Sequence, residues 1–325
     1  MISTSKYAAL AAVLLAALAN AASADQPLLS PAKPIVIAGG KGAFDWMLLD
    51  GRSNRVFATH KGTKSVAVVD TKTDTALPSI EVGTAQGVAI DRKDKKVFLG
   101  DEDEHKVVVL DYETLKKTGE IPVPGPVDDV IYCSKNGMVY ADCDNGEEVW
   151  VIDPKSEKVS ATIKVPTAPE KMEFDRVSGR IYQNIKSNDT IQVIDPETNK
   201  VEKTIDTSPA KGPHGIAIDG KTQRLFTAGK NGKLVVIDIK SGKTLSVVEI
   251  GSGVDQIAFD RSNQRVYCAC QGAISVVQET EDGAKLLGNV TVPKGAHTIA
   301  VDNKTHAVWT CYSDDKESYL LKLTP

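Results

Sequence analysis

Ala89-Ile90-Asp91-Arg92-Lys93-Asp94-Lys95-Lys96-Val97-Phe98 sets two apolar segments on either side of a polar turn, and the chain repeats that unit. It returns as LLDGRSNRVF at 48–57, IYCSKNGMVY at 131–140, EFDRVSGRIY at 173–182, AIDGKTQRLF at 217–226, AFDRSNQRVY at 258–267 and AVDNKTHAVW at 300–309. The third residue of each copy is Asp50, Asp91, Cys133, Asp175, Asp219, Asp260 and Asp302, at spacings of 41, 42, 42, 44, 41 and 42. A period near 42 with several short strands per unit is the pattern of propeller blades. The expected fold is all-β: a seven-bladed β-propeller with four-stranded antiparallel blades.

Working outward from residues 217–226 gives one whole blade. Gly215–Ile218 reads as the innermost strand, Arg224–Ala228 as the second, Lys233–Ile237 as the third and Thr244–Ile250 as the fourth. A second acid recurs at Asp70, Asp111, Asp153, Asp195 and Asp238, opening a turn of the form Asp-x-x-(Thr/Ser). Asp in that setting accepts hydrogen bonds from its own turn, so these acids are structural. The last blade runs out of chain after Glu317–Leu323, its third strand. Pro34–Ala38 stands before blade 1 as Ile80–Val82 stands before blade 2, so an N-terminal strand is expected to complete blade 7 and leave no open edge.

The first 24 residues read as a secretory signal peptide. Lys6 is followed by an apolar run from Ala8 to Ala22 and by the small-x-small site Ala22-Ser23-Ala24. The run is too short to span a bilayer. Residues 25–33 read as an extended or loosely ordered lead-in and 34–325 as the propeller domain, with a periplasmic or secreted destination. The formal charge is −4 on 325 residues, with 39 Lys and Arg against 43 Asp and Glu. Mixed, mildly acidic charge excludes a concentrated basic surface for nucleic acid.

Five cysteines in an exported chain raise the question of disulfides. Cys143 pairs opposite a residue far from Cys133, and Cys268 and Cys270 share one strand face. Cys311 either confronts Cys268 or Cys270 across two blades or points wholly away, so a bridge and free thiols both stand.

The pattern of Val-Ile-Asp-x-x-(Thr/Ser) turns and Gly-Ile-Ala-Ile-Asp inner strands resembles the YVTN-repeat (YncE-like) family of exported bacterial propellers. The resemblance is carried by Phe44-Asp45-Trp46, Pro169-Glu170-Lys171, His214 to Asp219 and Gly253-Val254-Asp255-Gln256. It implies a surface, periplasmic or accessory protein and brings no catalytic motif. Blade 3 departs with Cys133 at the turn position, and blade 6 lacks the second turn acid.

Five residues before each turn position stand Asp45, Gln86, Asp128, Glu170, His214, Asp255 and His297. Polar side chains at the entry of all seven inner strands predict a ligand site at the mouth of the central channel. Loops between second and third strands add His60, the Asp101–His105 run, the Asp142–Glu148 run and Tyr312, while His306 falls on the opposite face. Within the ring, His214, Asp255, His297 and Asp45 form a candidate set for a divalent metal ion, the one cofactor the pattern suggests. Asp142-x-Asp144-x-Gly146 partly matches a calcium loop. With no nucleophile–base motif or phosphate loop in view, the expected function is non-enzymatic: a binding or scaffold protein presenting its loop face to a protein, peptide or small ligand. The alternatives are a metal-dependent hydrolase or lyase at the channel mouth, and an accessory protein of a periplasmic redox or metal-handling system.

Overall fold

The computed structural model describes residues 27–325, so the leader read at 1–24 lies outside the described residues. Seven antiparallel sheets form the molecule. Each innermost strand packs beside that of the next blade, and Ile299–Val301 returns to Met47–Asp50, closing the ring. No α-helix occurs among the described residues; Lys61–Thr63 is a single 3₁₀ turn.

Blade 5 shows why this sequence makes these strands. Pro213–Asp219, Arg224–Gly229, Lys233–Asp238 and Thr244–Glu249 pair in sequence order, with Ile218 opposite Leu225 and Leu225 opposite Ile237. Phe226, Ala228, Leu234 and Val236 pack toward blade 6, while Leu225, Val235 and Ile237 pack toward blade 4. A middle strand buried on both faces needs apolar residues at both parities, which explains the unbroken Leu-Val-Val-Ile run.

Ring closure follows the sequence expectation. Ile35–Ile37 pairs with Ser318–Thr324, placing Ile35 opposite Leu320 and Ile37 opposite Ser318. The lead-in is more ordered than expected. Ser30–Pro31 extends the same edge, and Leu29 is only 2% exposed in the core between blades 6 and 7.

The turn acids act as their residue type dictates. Asp91 accepts from the Lys93 amide, Asp175 from the Val177 and Ser178 amides, and Asp195 from the Glu197 amide. Asp50 does more. It is fully buried, accepts from Ser53 Oγ at 2.7 Å, and takes Arg92 at 2.7 Å and the Tyr112 hydroxyl at 2.5 Å from blade 2. Burial alone raises a carboxyl, but here the Tyr112, Ser53 and Arg92 hydrogen bonds outweigh it and hold Asp50 at about 2 against an ordinary 3.8. A depressed folded-state value means that the ionised form stabilises the fold above the unfolded value, and that this is lost as pH falls through about 2. Asp50→Asn is therefore expected to cost about 2 kcal/mol at pH 7 and little near pH 2. Urea unfolding at both pH values measures this; an equal loss at both would show that the charge contributes nothing.

All five cysteines are free. Cys268 and Cys270 face the core between blades 5 and 6, whereas Cys311 faces the core between blades 7 and 1, its sulfur 2.9 Å from Thr298 Oγ1. Cys311 thus points away from both candidates, and the bridge does not form. Burial pushes its thiol up to about 12.

Candidate active site

In blades 2 to 5 the innermost strand bulges where it enters the channel. Register shifts fall between Ala85 and Val88, Val127 and Val130, Pro169 and Met172, and Pro213 and Gly215. A bulge gives two residues where the partner strand has one and re-aims side chains, often beside active sites. At these bulges stand Gln86, Asp128, Glu170 and His214, with Asp129 and Lys171 as the second residues. Gly87 fills the second position of blade 2 because a Cβ there would lie 2.4 Å from the Val130 amide nitrogen.

The result is a polar cavity of about 200 Å³ at the channel mouth. Six of the seven positions read from the sequence line it: Asp45, Gln86, Asp128, Glu170, His214 and Asp255. His297 reaches it only through Asp255, its Nδ1 lying 2.7 Å from Asp255 Oδ2. His60 is a correction. It is fully buried, stacks on Phe44 at 4.2 Å and meets Ser318 Oγ at 2.9 Å, so it serves the seam between blades 1 and 7. His105 is exposed, Tyr312 stacks on Tyr319, and His306 pairs with Asp260 away from the mouth.

Lysines absent from the sequence-based set complete the site. Each follows a mouth residue of its own blade by 16 positions: Lys61 after Asp45, Lys186 after Glu170 and Lys230 after His214. Glu102 and Asp144 hold the same offset from Gln86 and Asp128, so the 42-residue period carried this signal too. Lys186 Nζ lies 2.7 Å from Glu170 Oε2, Lys230 Nζ 2.6 Å from Asp255 Oδ1, and Lys61 Nζ 3.4 Å from both Asp45 and Glu102. Below this layer Lys171 reaches from blade 4 to Asp129 at 2.9 Å and to within 3.5 Å of the centre of the Trp46 ring, flooring the cavity.

Electrostatics divides the carboxyls. Burial raises Glu170 to about 7 and Asp45 to about 6, against the pull of Lys186 and Lys61 respectively. Asp128 is pushed well above the usual carboxylate range by burial and by the charge of Glu170. Asp255 goes the other way: burial pushes it up, but the His297 hydrogen bond and Lys230 outweigh that and keep it ionised. Burial, with the positive charge of Lys230, lowers His214 to about 4, so this imidazole is neutral at physiological pH. Its Nδ1 lies 2.8 Å from the Gly212 carbonyl, which assigns the proton to Nδ1 and leaves Nε2 a lone pair 3.7 Å from Glu170 Oε1. A carboxyl poised near neutrality beside an imidazole acceptor and an ammonium group is suited to moving protons.

The metal set also needs correction. Among the described residues, the donors within 4.8 Å of one another are Glu170, His214 and Asp255; Asp45 and His297 stand outside that group, held by Lys61 and Asp255. The calcium-like loop dissolves as well. Asp142 is buried, taking the Asp129 amide and Gln183, while Asp144 faces Lys186 at 3.7 Å. No helix among the described residues is long and apolar enough to cross a membrane.

Comparison with solved structures returns chains of similar fold and remote sequence. Hydrazine synthase of Kuenenia stuttgartiensis matches with TM-score 0.72 and 12% identity over 84% of this chain and 92% of its own. A chain of a mitotic checkpoint complex matches with TM-score 0.76 and 12% identity, covering 91% and 92%. At that identity the likeness is one of fold. No curated protein matches the chain. Residues 58–239 match the family model described as glutamine cyclotransferase, a span that holds Glu170, Lys186, His214 and Lys230. The resemblance to YVTN-repeat proteins is thus supported as far as the propeller. The match overturns the expectation of a non-enzymatic scaffold, since the family is one of acyl-transfer enzymes, and it lends no support to the hydrolase, lyase or accessory readings. The chain belongs to the glutamine cyclotransferase family.

Proposed function

We propose that the channel mouth cyclises N-terminal glutamine of peptides, an intramolecular acyl transfer that yields a pyroglutamyl end and ammonia. The observation that carries this reading is the placement of Glu170, between His214 Nε2 at 3.7 Å and Lys186 at 2.7 Å, inside the span matched to the family. The α-amine attacks the γ-carboxamide carbon, forming the ring C–N bond. Glu170 takes a proton from the attacking nitrogen, while the Lys186 ammonium faces the negative charge on the carbonyl oxygen. Glu170 then returns the proton to the departing amide nitrogen, the old C–N bond breaks and ammonia leaves. Asp255, fixed as a carboxylate by His297 and Lys230, accepts the remaining N–H of the amine and turns its lone pair toward the carbon.

Ammonia release from a synthetic peptide with N-terminal glutamine tests the proposal. Lys186→Met keeps the length of the stem and removes the charge, and is expected to lower kcat about 10²–10³-fold, the usual loss of one oxyanion donor. An unchanged kcat would take Lys186 out of the mechanism.

A further inference from the structure

We propose that Glu170, His214 and Asp255 form a binding site for a divalent cation of the zinc class, and that the bound ion silences the chemistry of the same cavity. The silencing rests on the proposed cyclisation; the binding does not.

The three donors come from blades 4, 5 and 6, and one ligand atom of each lies within 4.8 Å of the others. Tetrahedral zinc with bonds of about 2.0–2.2 Å separates its ligand atoms by roughly 3.3–3.6 Å. The site therefore has to close by only about 1 Å, within reach of side-chain rotation. Two further features match how proteins hold such ions. His214 gives its Nδ1 proton to the Gly212 carbonyl at 2.8 Å, which fixes the ring and turns the Nε2 lone pair toward Glu170. Asp255 is itself held by a second imidazole, His297, at 2.7 Å. Outer contacts of this kind orient metal ligands. One nitrogen and two carboxylate oxygens suit zinc better than magnesium or calcium, which take oxygen alone. Three protein ligands leave a fourth position open to the cavity.

The lysines set the terms. Lys186 holds Glu170 through Oε2 and leaves Oε1 facing His214. At Asp255 both oxygens are engaged, Oδ1 by Lys230 and Oδ2 by His297, so an ion seated on Oδ1, with His297 kept on Oδ2, competes with Lys230. That side chain is 38% exposed and has solvent to swing into. The cation and the Lys230 ammonium compete for one oxygen. An ion seated there also ties up the carboxylate that carries the proton.

Calorimetric titration of zinc chloride into the full chain, stripped with chelator and dialysed, decides the site. One ion per chain is expected. Binding is lost in His214→Gln and in Glu170→Gln, weakened about 10–100-fold in His297→Ala, and unchanged in His306→Gln on the opposite face. Lys230→Met is expected to bind more tightly, a gain that damage to the fold does not produce. No binding, full binding in both His214→Gln and Glu170→Gln, or weaker binding in Lys230→Met overturns the site. Ammonia release is expected to fall with the same midpoint as the calorimetric curve. Binding with undiminished release refutes the silencing and keeps the site. A zinc-free protein that releases no ammonia refutes the cyclisation and the silencing together, while the calorimetric curve still decides the site.

Discussion

Glu170→Gln is expected to lower kcat for cyclisation about 10²–10⁴-fold, the range that one positioned acid–base group supplies. In barrier height that is about 3–5 kcal/mol. The substitution keeps the shape of the side chain and leaves the backbone carbonyl that accepts from Gln183 Nε2 at 2.8 Å. It removes the ability to take a proton from the amine and hand it to the leaving nitrogen. Lys186 keeps Asp144 at 3.7 Å as a partner, so the ammonium is not stranded. The melting temperature should stay near that of the parent protein. A large loss of kcat in a folded variant is the signature of chemistry; an unchanged kcat would move the proton transfer to another group.

Removing residues 25–40 is expected to lower the melting temperature by about 10 °C or more. The deletion takes away Leu29 and Ile37, each 2% exposed, worth roughly 3–6 kcal/mol together by apolar burial. At about 2–4 °C per kcal/mol for a domain approaching this size, the shift is readily measured. It also strips the Ile35–Ile37 and Ser30–Pro31 pairings from Ser318–Thr324, leaving an open strand edge that favours association between molecules. A thermal melt and light scattering on the shortened chain check both effects. An unchanged melting temperature contradicts non-covalent closure of the ring.

The repeat made the fold legible because each blade must solve the same packing problem with the same turn chemistry. Asp50, Asp91, Asp175, Asp219, Asp260 and Asp302 mark the turns, and unbroken apolar strands mark burial between blades. The entry position of each inner strand is legible for the same reason, which is why Glu170, His214 and Asp255 stand out together. Asp129 and Lys171 do not, because period-2 alternation sends neighbours to opposite faces and the bulges break that rule. Lys186 and Lys230 escape notice although the period marks them, since a solvated lysine in a loop looks the same in sequence as one folded over a cavity. His60 misleads in the opposite sense: its loop-side position hides a ring packed on Phe44. Function is the least legible part. A propeller assembles its site from single residues some 42 positions apart, so no contiguous motif announces the reaction, and the scaffold reading grows out of that silence.

The proposed chemistry comes down to one proton-carrying carboxyl at the channel mouth that closes glutamine onto its own amine. Mass spectrometry of a peptide with N-terminal glutamine, incubated with the purified chain and with Glu170→Gln in parallel, tests this without intermediaries. Rapid conversion to the pyroglutamyl peptide is expected with the parent protein, and near-background conversion with the variant. Unconverted peptide in the presence of folded parent protein, or equal conversion by both, would refute it.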